Sequence, residues 1–206
     1  MASTASPYGL RAVNELGGLP YAGSTRQFLI DPAGYNTNIF NGSIVAINTS
    51  GYINIVTTNG DNSTPFPAGT IGVFVGCSFT NAQGQIIYSQ YYPANTASVQ
   101  GSAITAYVID DDRAVFQVQA NGTLAQTALG MNVILSAVQS TSTGSTTTGN
   151  STTAVSNSAA ATSGYAFRVV GFADTPGFSA VGDAFTDILV KFNPGAHSYS
   201  NATGVA

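Results

Sequence analysis

The sequence predicts a mostly β protein, either a β-barrel or a jelly-roll-like sandwich, and three observations carry that reading. Short apolar segments recur along the chain. Clusters of Asn, Asp, Gly and Pro separate them at roughly 8–12-residue spacing, the rhythm of short strands and turns. No stretch sustains a helical period beyond two turns.

The elements follow in order. Residues 28–30 end at Asp31-Pro32, a turn starter. Residues 43–47 and 52–56 flank Asn48-Thr49-Ser50-Gly51 and read as a hairpin. Residues 70–80 form a long apolar strand, which Asn81-Ala82-Gln83-Gly84 turns into residues 85–92. Pro93 stops that strand because it has no N–H to donate. Strict alternation would place Cys77 on one face with Val73, Val75 and Phe79. Residues 104–109 lead through Asp110-Asp111-Asp112 into residues 114–120 and read as a further hairpin. There Phe116 and Val118 alternate with Gln117 and Gln119, the period of a half-buried strand. Residues 165–172 and 187–192 are strands joined through Asp174-Thr175-Pro176-Gly177 and a Gly/Ser-rich loop.

Two segments stand apart. Residues 1–27 read as an extended N-terminal arm, because Pro7, Gly9, Gly17-Gly18 and Pro20 interrupt any regular element. The arm still carries Tyr8, Leu10, Val13, Leu16, Leu19 and Tyr21, more large apolar residues than a disordered tail holds. It is therefore expected to lie on a surface, and Leu16 and Tyr21 are candidate partner contacts. Residues 28–206 form the β-rich body. Within it, residues 136–164 are so rich in Ser, Thr, Gly and Ala that they read as a loop or a polar edge ribbon.

Composition narrows the function. Charged residues make up 7% of the 206-residue chain, against 44% hydrophobic, and the net charge is −4. The cations are Arg11, Arg26, Arg113, Arg168 and Lys191, scattered rather than clustered. Nucleic-acid binding needs grouped Lys and Arg to displace phosphate counterions, so no nucleic-acid partner is expected. No apolar run approaches a membrane span and no polybasic anchor exists, so no membrane partner is expected either. The stretch from Met1 to Pro7 lacks the charged and apolar regions of a secretory signal. Neutral, Thr/Gly/Asn-rich surfaces suit proteins that pack against neighbours, as in shells, fibres and adhesins.

Catalytic chemistry finds little support. Cys77 is the only cysteine and His197 the only histidine. Cys77 lies in an apolar strand, where a thiol behaves as a small buried hydrophobe rather than a nucleophile. A serine triad would have to borrow His197, and no Gly-x-Ser-x-Gly elbow presents a serine. Asp110-Asp111-Asp112 reads as a solvated turn rather than a calcium loop. Asp183 and Asp187 read as turn caps rather than an acid/base pair. Sequons such as Asn41-Gly42-Ser43 and Asn121-Gly122-Thr123 are expected by chance in this composition. No cofactor, no metal and no enzymatic activity is expected.

Several segments together resemble the cement or decoration proteins of tailed bacteriophage capsids. They are Ser6-Pro7-Tyr8-Gly9-Leu10-Arg11-Ala12-Val13, Gly23-Ser24-Thr25-Arg26-Gln27, Gln90-Tyr91-Tyr92-Pro93, residues 116–120, residues 144–151 and residues 167–172. The resemblance spans nearly the whole chain and includes no catalytic signature. It implies a β-barrel-like body, an arm reaching over the shell, and assembly on the outer face of the capsid as a homo-oligomer, most readily a trimer. It implies the major capsid protein as partner, with Pro7, Tyr8, Leu10, Arg11 and Arg26 as contacts. Localisation would be the capsid surface of the virion, and the host cytoplasm during assembly. Rival readings are a tail or receptor-binding module, the major capsid protein itself, which would need a long spine helix, and a carbohydrate-active enzyme.

Overall fold

The computed structural model describes residues 3–99, 101–174 and 178–205. The expected turn at Asp174-Thr175-Pro176-Gly177 falls largely outside them. Among the described residues, eleven strands make two antiparallel sheets, and the helical content is two 3₁₀ turns, Gln126–Ala128 and Ser198–Ser200. The protein is mostly β, with its sheets packed as a sandwich.

The first sheet contains β1 (Arg11–Glu15), β8 (Ala114–Gln119), β11 (Asp187–Phe192), β10 (Phe167–Phe172) and β9 (Asn132–Val133), in that spatial order. The second runs β2 (Arg26–Ile30), β7 (Ile104–Ile109), β5 (Thr70–Thr80), β3 (Ile44–Ile47) and β4 (Ile53–Ile55), with β6 (Ile86–Ser89) also paired to β5. Its end strands β2 and β4 come alongside each other, so the sheet curls on itself.

Curling gives the protein two cores. One lies between the sheets, where Phe116 and Phe167 both pack against Phe192, at ring-centre distances of 5.8 Å and 4.9 Å. The other fills the curl with Ile30, Val45, Ile53, Phe74, Tyr92 and Val108. Tyr92 is fully buried, and its hydroxyl accepts from Tyr35 N (2.9 Å) and donates to Thr96 O (2.8 Å), which removes the cost of an unpaired polar group. β3 is apolar at every position because it faces both cores: Ile44 and Ala46 point one way, Val45 and Ile47 the other.

β5 also serves both cores, and it changes face by bulging. The pairing register shifts against β3 near Gly72 and against β7 near Gly76. Val73 and Val75 therefore pack between the sheets, while Phe74, Cys77 and Phe79 point into the curl. Strict alternation had grouped Cys77 with Val73 and Val75, and the second bulge separates them. Gly72 has φ +141°, and a Cβ there would sit 1.9 Å from Ile109 O, so only glycine lets the backbones approach.

Two hairpins match the sequence reading, β3–β4 and β5–β6. The third does not. β7 and β8 belong to different sheets, and Asp110-Asp111-Asp112 carries the chain across the sandwich rather than closing a hairpin. Residues 136–164 are laid in as an ordered ribbon against the rest of the protein, bridging to Asn41, Ala120, Asn132 and Leu135.

The N-terminal segment is extended, but it does not stand apart. β1 is an edge strand of the first sheet, and Leu10 is 1% exposed inside the core between the sheets. Arg26 and Gln27 begin β2, so the expected boundary after residue 27 falls inside a strand.

Candidate docking surface

The expected contact residues scatter once placed. Residues 3–9 lie strapped to their own body. Ser3 Oγ donates to Phe185 O (2.7 Å) and accepts from Phe185 N (2.8 Å). The Gln119 amide clamps the strap from below, accepting from Ser6 N (2.8 Å) and donating to Thr4 O (3.2 Å). Gly9 N and Leu10 N then donate to Thr153 O and Gly42 O. Pro7 and Tyr8 are half-buried along this path. Leu10 is enclosed by its own chain and cannot reach a partner; its side chain serves the core instead.

Tyr8 and Arg11 do come together. The Arg11 guanidinium stacks 4.6 Å from the centre of the Tyr8 ring, a cation–π contact on the outer face of the first sheet. Asp187 faces the same side, since its neighbour Ile188 points into the core. Burial, reinforced by the Asp187 charge, pushes the Tyr8 hydroxyl well above the usual phenol range, and burial raises the Asp187 carboxyl despite Arg11. Asp187 is therefore no turn cap; Asp183 is, accepting from Ala180 N at 3.0 Å.

Arg26 is committed elsewhere. It pairs with Asp110 at 3.2 Å and reaches the Tyr199 hydroxyl, which itself donates to Asp110 at 2.6 Å. Ser200 donates to Asp112 at 3.2 Å. The acidic turn, expected to be bare, thus holds the C-terminal segment. Tyr21 packs half-buried against the core between the sheets, and its hydroxyl bonds Ser24 O. Burial, with Asp111 and Asp110 nearby, lifts its hydroxyl to about 12.

Leu16 is the one predicted apolar contact that stays open, while Arg11 and Arg26 are exposed but paired with Tyr8 and Asp110. It sits in the turn after β1, where Leu16 N donates to Arg113 O (2.8 Å) and Glu15 N to Leu19 O (2.7 Å). This fold-back leaves Val13, Leu16 and Leu19 exposed together, Leu19 at 60%. Val13 and Leu19 were visible as apolar but not singled out. Val13 sits at the bulge in β1, and Leu19 is placed by the fold-back from Glu15, neither of which a local pattern revealed. Beside the strand, Arg11, Tyr21, Asn41, Gln90 and Asn150 line a groove of 360 Å³.

His197 and Cys77 have other duties. Cys77 is buried in the curl, and burial pushes its thiol up to about 12. His197 is buried on the other side of β5, Nε2 2.9 Å from Ile71 O and Nδ1 accepting from Tyr199 N at 3.3 Å. These partners suit a neutral ring with its proton on Nε2. Burial lowers its pKa below 6.5, opposed by the Ile71 carbonyl and by Asp112, Asp110 and Asp111. A depressed folded value means the unfolded chain takes up the proton first. The stabilising effect is complete above the unfolded value of about 6.5 and is lost as pH falls through it toward the folded value. The melting temperature should therefore drop between pH 7.5 and pH 5. His197→Gln, which can donate to Ile71 O and accept from Tyr199 N, should show a shallower drop. An equal slope in both proteins would place the titration elsewhere.

Among the described residues, no group of three or more His, Cys, Asp or Glu is arranged to hold a metal ion. Comparison of the chain with family models, with curated proteins and with solved structures finds no match.

Proposed function

We propose that the chain is a non-catalytic structural protein of a virus particle, which binds the outer face of a tailed-phage capsid and cements neighbouring capsid subunits. The observation that supports this best is the turn following β1. It presents Leu16 and Leu19 to solvent, next to Val13 of a strand anchored in the sandwich. An apolar knob held this way loses little conformational freedom on docking, so more of its burial appears as affinity. The low charge of the chain lets broad faces pack without desolvating ions. The major capsid protein is the proposed partner, together with further copies of the chain, a trimer foremost, at the capsid surface after assembly in the host cytoplasm.

A second reading, a tail or receptor-binding module, is favoured by the groove between Arg11, Tyr21 and Gln90, whose amides and aromatic ring, beside apolar Ala12, Val75 and Ile109, suit a ligand with both polar and apolar parts. Capsid occupancy separates the two. Leu16→Lys combined with Leu19→Lys touches only exposed positions and should change stability by less than about 0.5 kcal/mol each. Its occupancy on purified capsids, read by electron cryomicroscopy, should fall at least about tenfold, equivalent to about 1.4 kcal/mol. Full decoration by the double variant would remove the turn from the interface.

A further inference from the structure

The two sheets offer few ends to a neighbour, and the chain itself closes most of them. At β1, residues 16–20 fold back, with Glu15 N donating to Leu19 O and a bridge between Asn14 and Pro20. At β9, Asn132 and Ala160 exchange backbone hydrogen bonds of 2.8 and 2.9 Å. β2 and β4 shelter each other by curling. β6 remains. Among the described residues, its backbone bonds to β5 and to nothing else.

The pattern of that free edge can be read from the turn before it. Asn81 N donates to Gln85 O at 2.9 Å, and hydrogen-bonded pairs then alternate along an antiparallel ladder. Ile87 and Ser89 accordingly exchange bonds with Phe79 and Cys77, while Ile86 and Tyr88 turn their N–H and C=O groups outward. The side chains of the same two residues are 67% and 75% exposed. Tyr88 ends a row that crosses four strands as Leu29, Thr105, Ser78 and Tyr88, with no charge in it. Edge strands are normally guarded by charge, proline or a bulge. β1 has all but the proline, in Arg11, Glu15 and the bulge at Val13, whereas β6 has no such guard.

We infer that β6 pairs with β6 of a second copy of this chain, antiparallel, about a two-fold axis through Ile87. In that register Ile86 stands opposite the partner's Tyr88, and Tyr88 opposite the partner's Ile86. Every outward N–H and C=O of the two residues finds its complement, and an Ile–Tyr pair forms on the same face at each side of the axis. A second copy is the occupant because its edge carries the same groups at the required spacing. The neutral row also lets two chains of like net charge approach without repulsion across the seam. A four-residue seam is small, so the free dimer is weak. Tethering copies side by side on one surface would raise their effective concentration and close it. This two-fold contact closes at two copies and is distinct from any trimer contact made on the capsid; it extends the proposed cementing role but does not depend on it.

Sedimentation of the full chain over rising concentration tests the inference without any capsid. The mass should climb from one chain toward two. Ile86→Lys with Tyr88→Lys should remain a monomer with an unchanged melting temperature. Mixing Ile86→Cys protein with Tyr88→Cys protein under mild oxidation should cross-link one chain of each kind, faster than either protein alone. A wild-type chain that stays monomeric throughout, association that survives the lysine variant, or cross-linking no faster in the mixture would each overturn the pairing. A monomeric chain whose lysine variant also fails to decorate capsids would assign the edge to a capsid strand instead. Self-association lost with decoration intact would support the pairing while leaving the capsid reading to its own test.

Discussion

A chain lacking residues 1–20 should fail to form the native sandwich. The deletion removes Leu10 from the core between the sheets, where truncation of a buried leucine alone costs about 2–5 kcal/mol. It removes β1 and strips the backbone of β8 along one edge. It also takes away the strap that pairs the Gln119 amide, leaving a nearly buried polar side chain without its partners. Together these losses match the whole stability of an ordinary domain, about 5–15 kcal/mol. The shortened protein should aggregate on expression or show no cooperative thermal transition by circular dichroism. A shortened protein that melts like the full chain would show that strap and strand are ornaments on an independent body.

The second large effect should come from Gln139→Leu. Gln139 is 1% exposed, and its amide works like a short piece of sheet. Oε1 accepts from Ile44 N (2.8 Å), and Nε2 donates to Ile44 O (3.0 Å) and Val56 O (2.9 Å). Thr153 adds a bond to Oε1 at 3.4 Å. Leucine matches the bulk and none of the bonds. Ile44 O would keep its bond from Val56 N, but Ile44 N and Val56 O would be buried unpaired. At about 1–3 kcal/mol for each orphaned group, the loss is about 2–6 kcal/mol. Urea unfolding should show a lower midpoint at constant slope. Gln139→Glu should be nearly as harmful, because the carboxylate cannot donate to Val56 O. A Leu variant with the wild-type midpoint would mean that the ribbon is held by its backbone alone.

What could be read in the sequence was local, and what was missed was not. Asn48 to Gly51 and Asn81 to Gly84 announce their hairpins because turn chemistry lies within a few residues of the strands it joins. Asp110-Asp111-Asp112 misleads because a chain can turn as tightly between sheets as within one. Gly72 and Gly76 were the legible warning that β5 bulges, since glycine inside an apolar strand marks close backbone approach. The partners of the N-terminal segment lie far along the chain: Arg11 faces Gln117, and Ser3 reaches Phe185. No reading of residues 1–27 alone can find them, so extended structure with breakers reads as an arm. Leu16 remains a docking candidate, joined by Val13 and Leu19, while Leu10 serves the core and Arg26 pairs with Asp110. Gln139 stayed hidden inside a stretch whose composition reads as linker, although one long amide side chain among hydroxyls was its signal.

The strand order also dictates a sequence of events on the ribosome. Every strand of the curled sheet comes from the contiguous stretch between Arg26 and Ile109, so that half can close as soon as it emerges. The other sheet cannot. It needs β8 to β11, which arrive later, and β1, which emerged first and must wait. During that interval Ile44, Ala46 and Val73 on the back of the curled sheet remain open to water. Final closure joins segments far apart in the sequence, made when Ser3 reaches Phe185 and Arg11 meets Gln117. Contacts so distant in sequence are slow to form, which leaves the nascent protein vulnerable until they close.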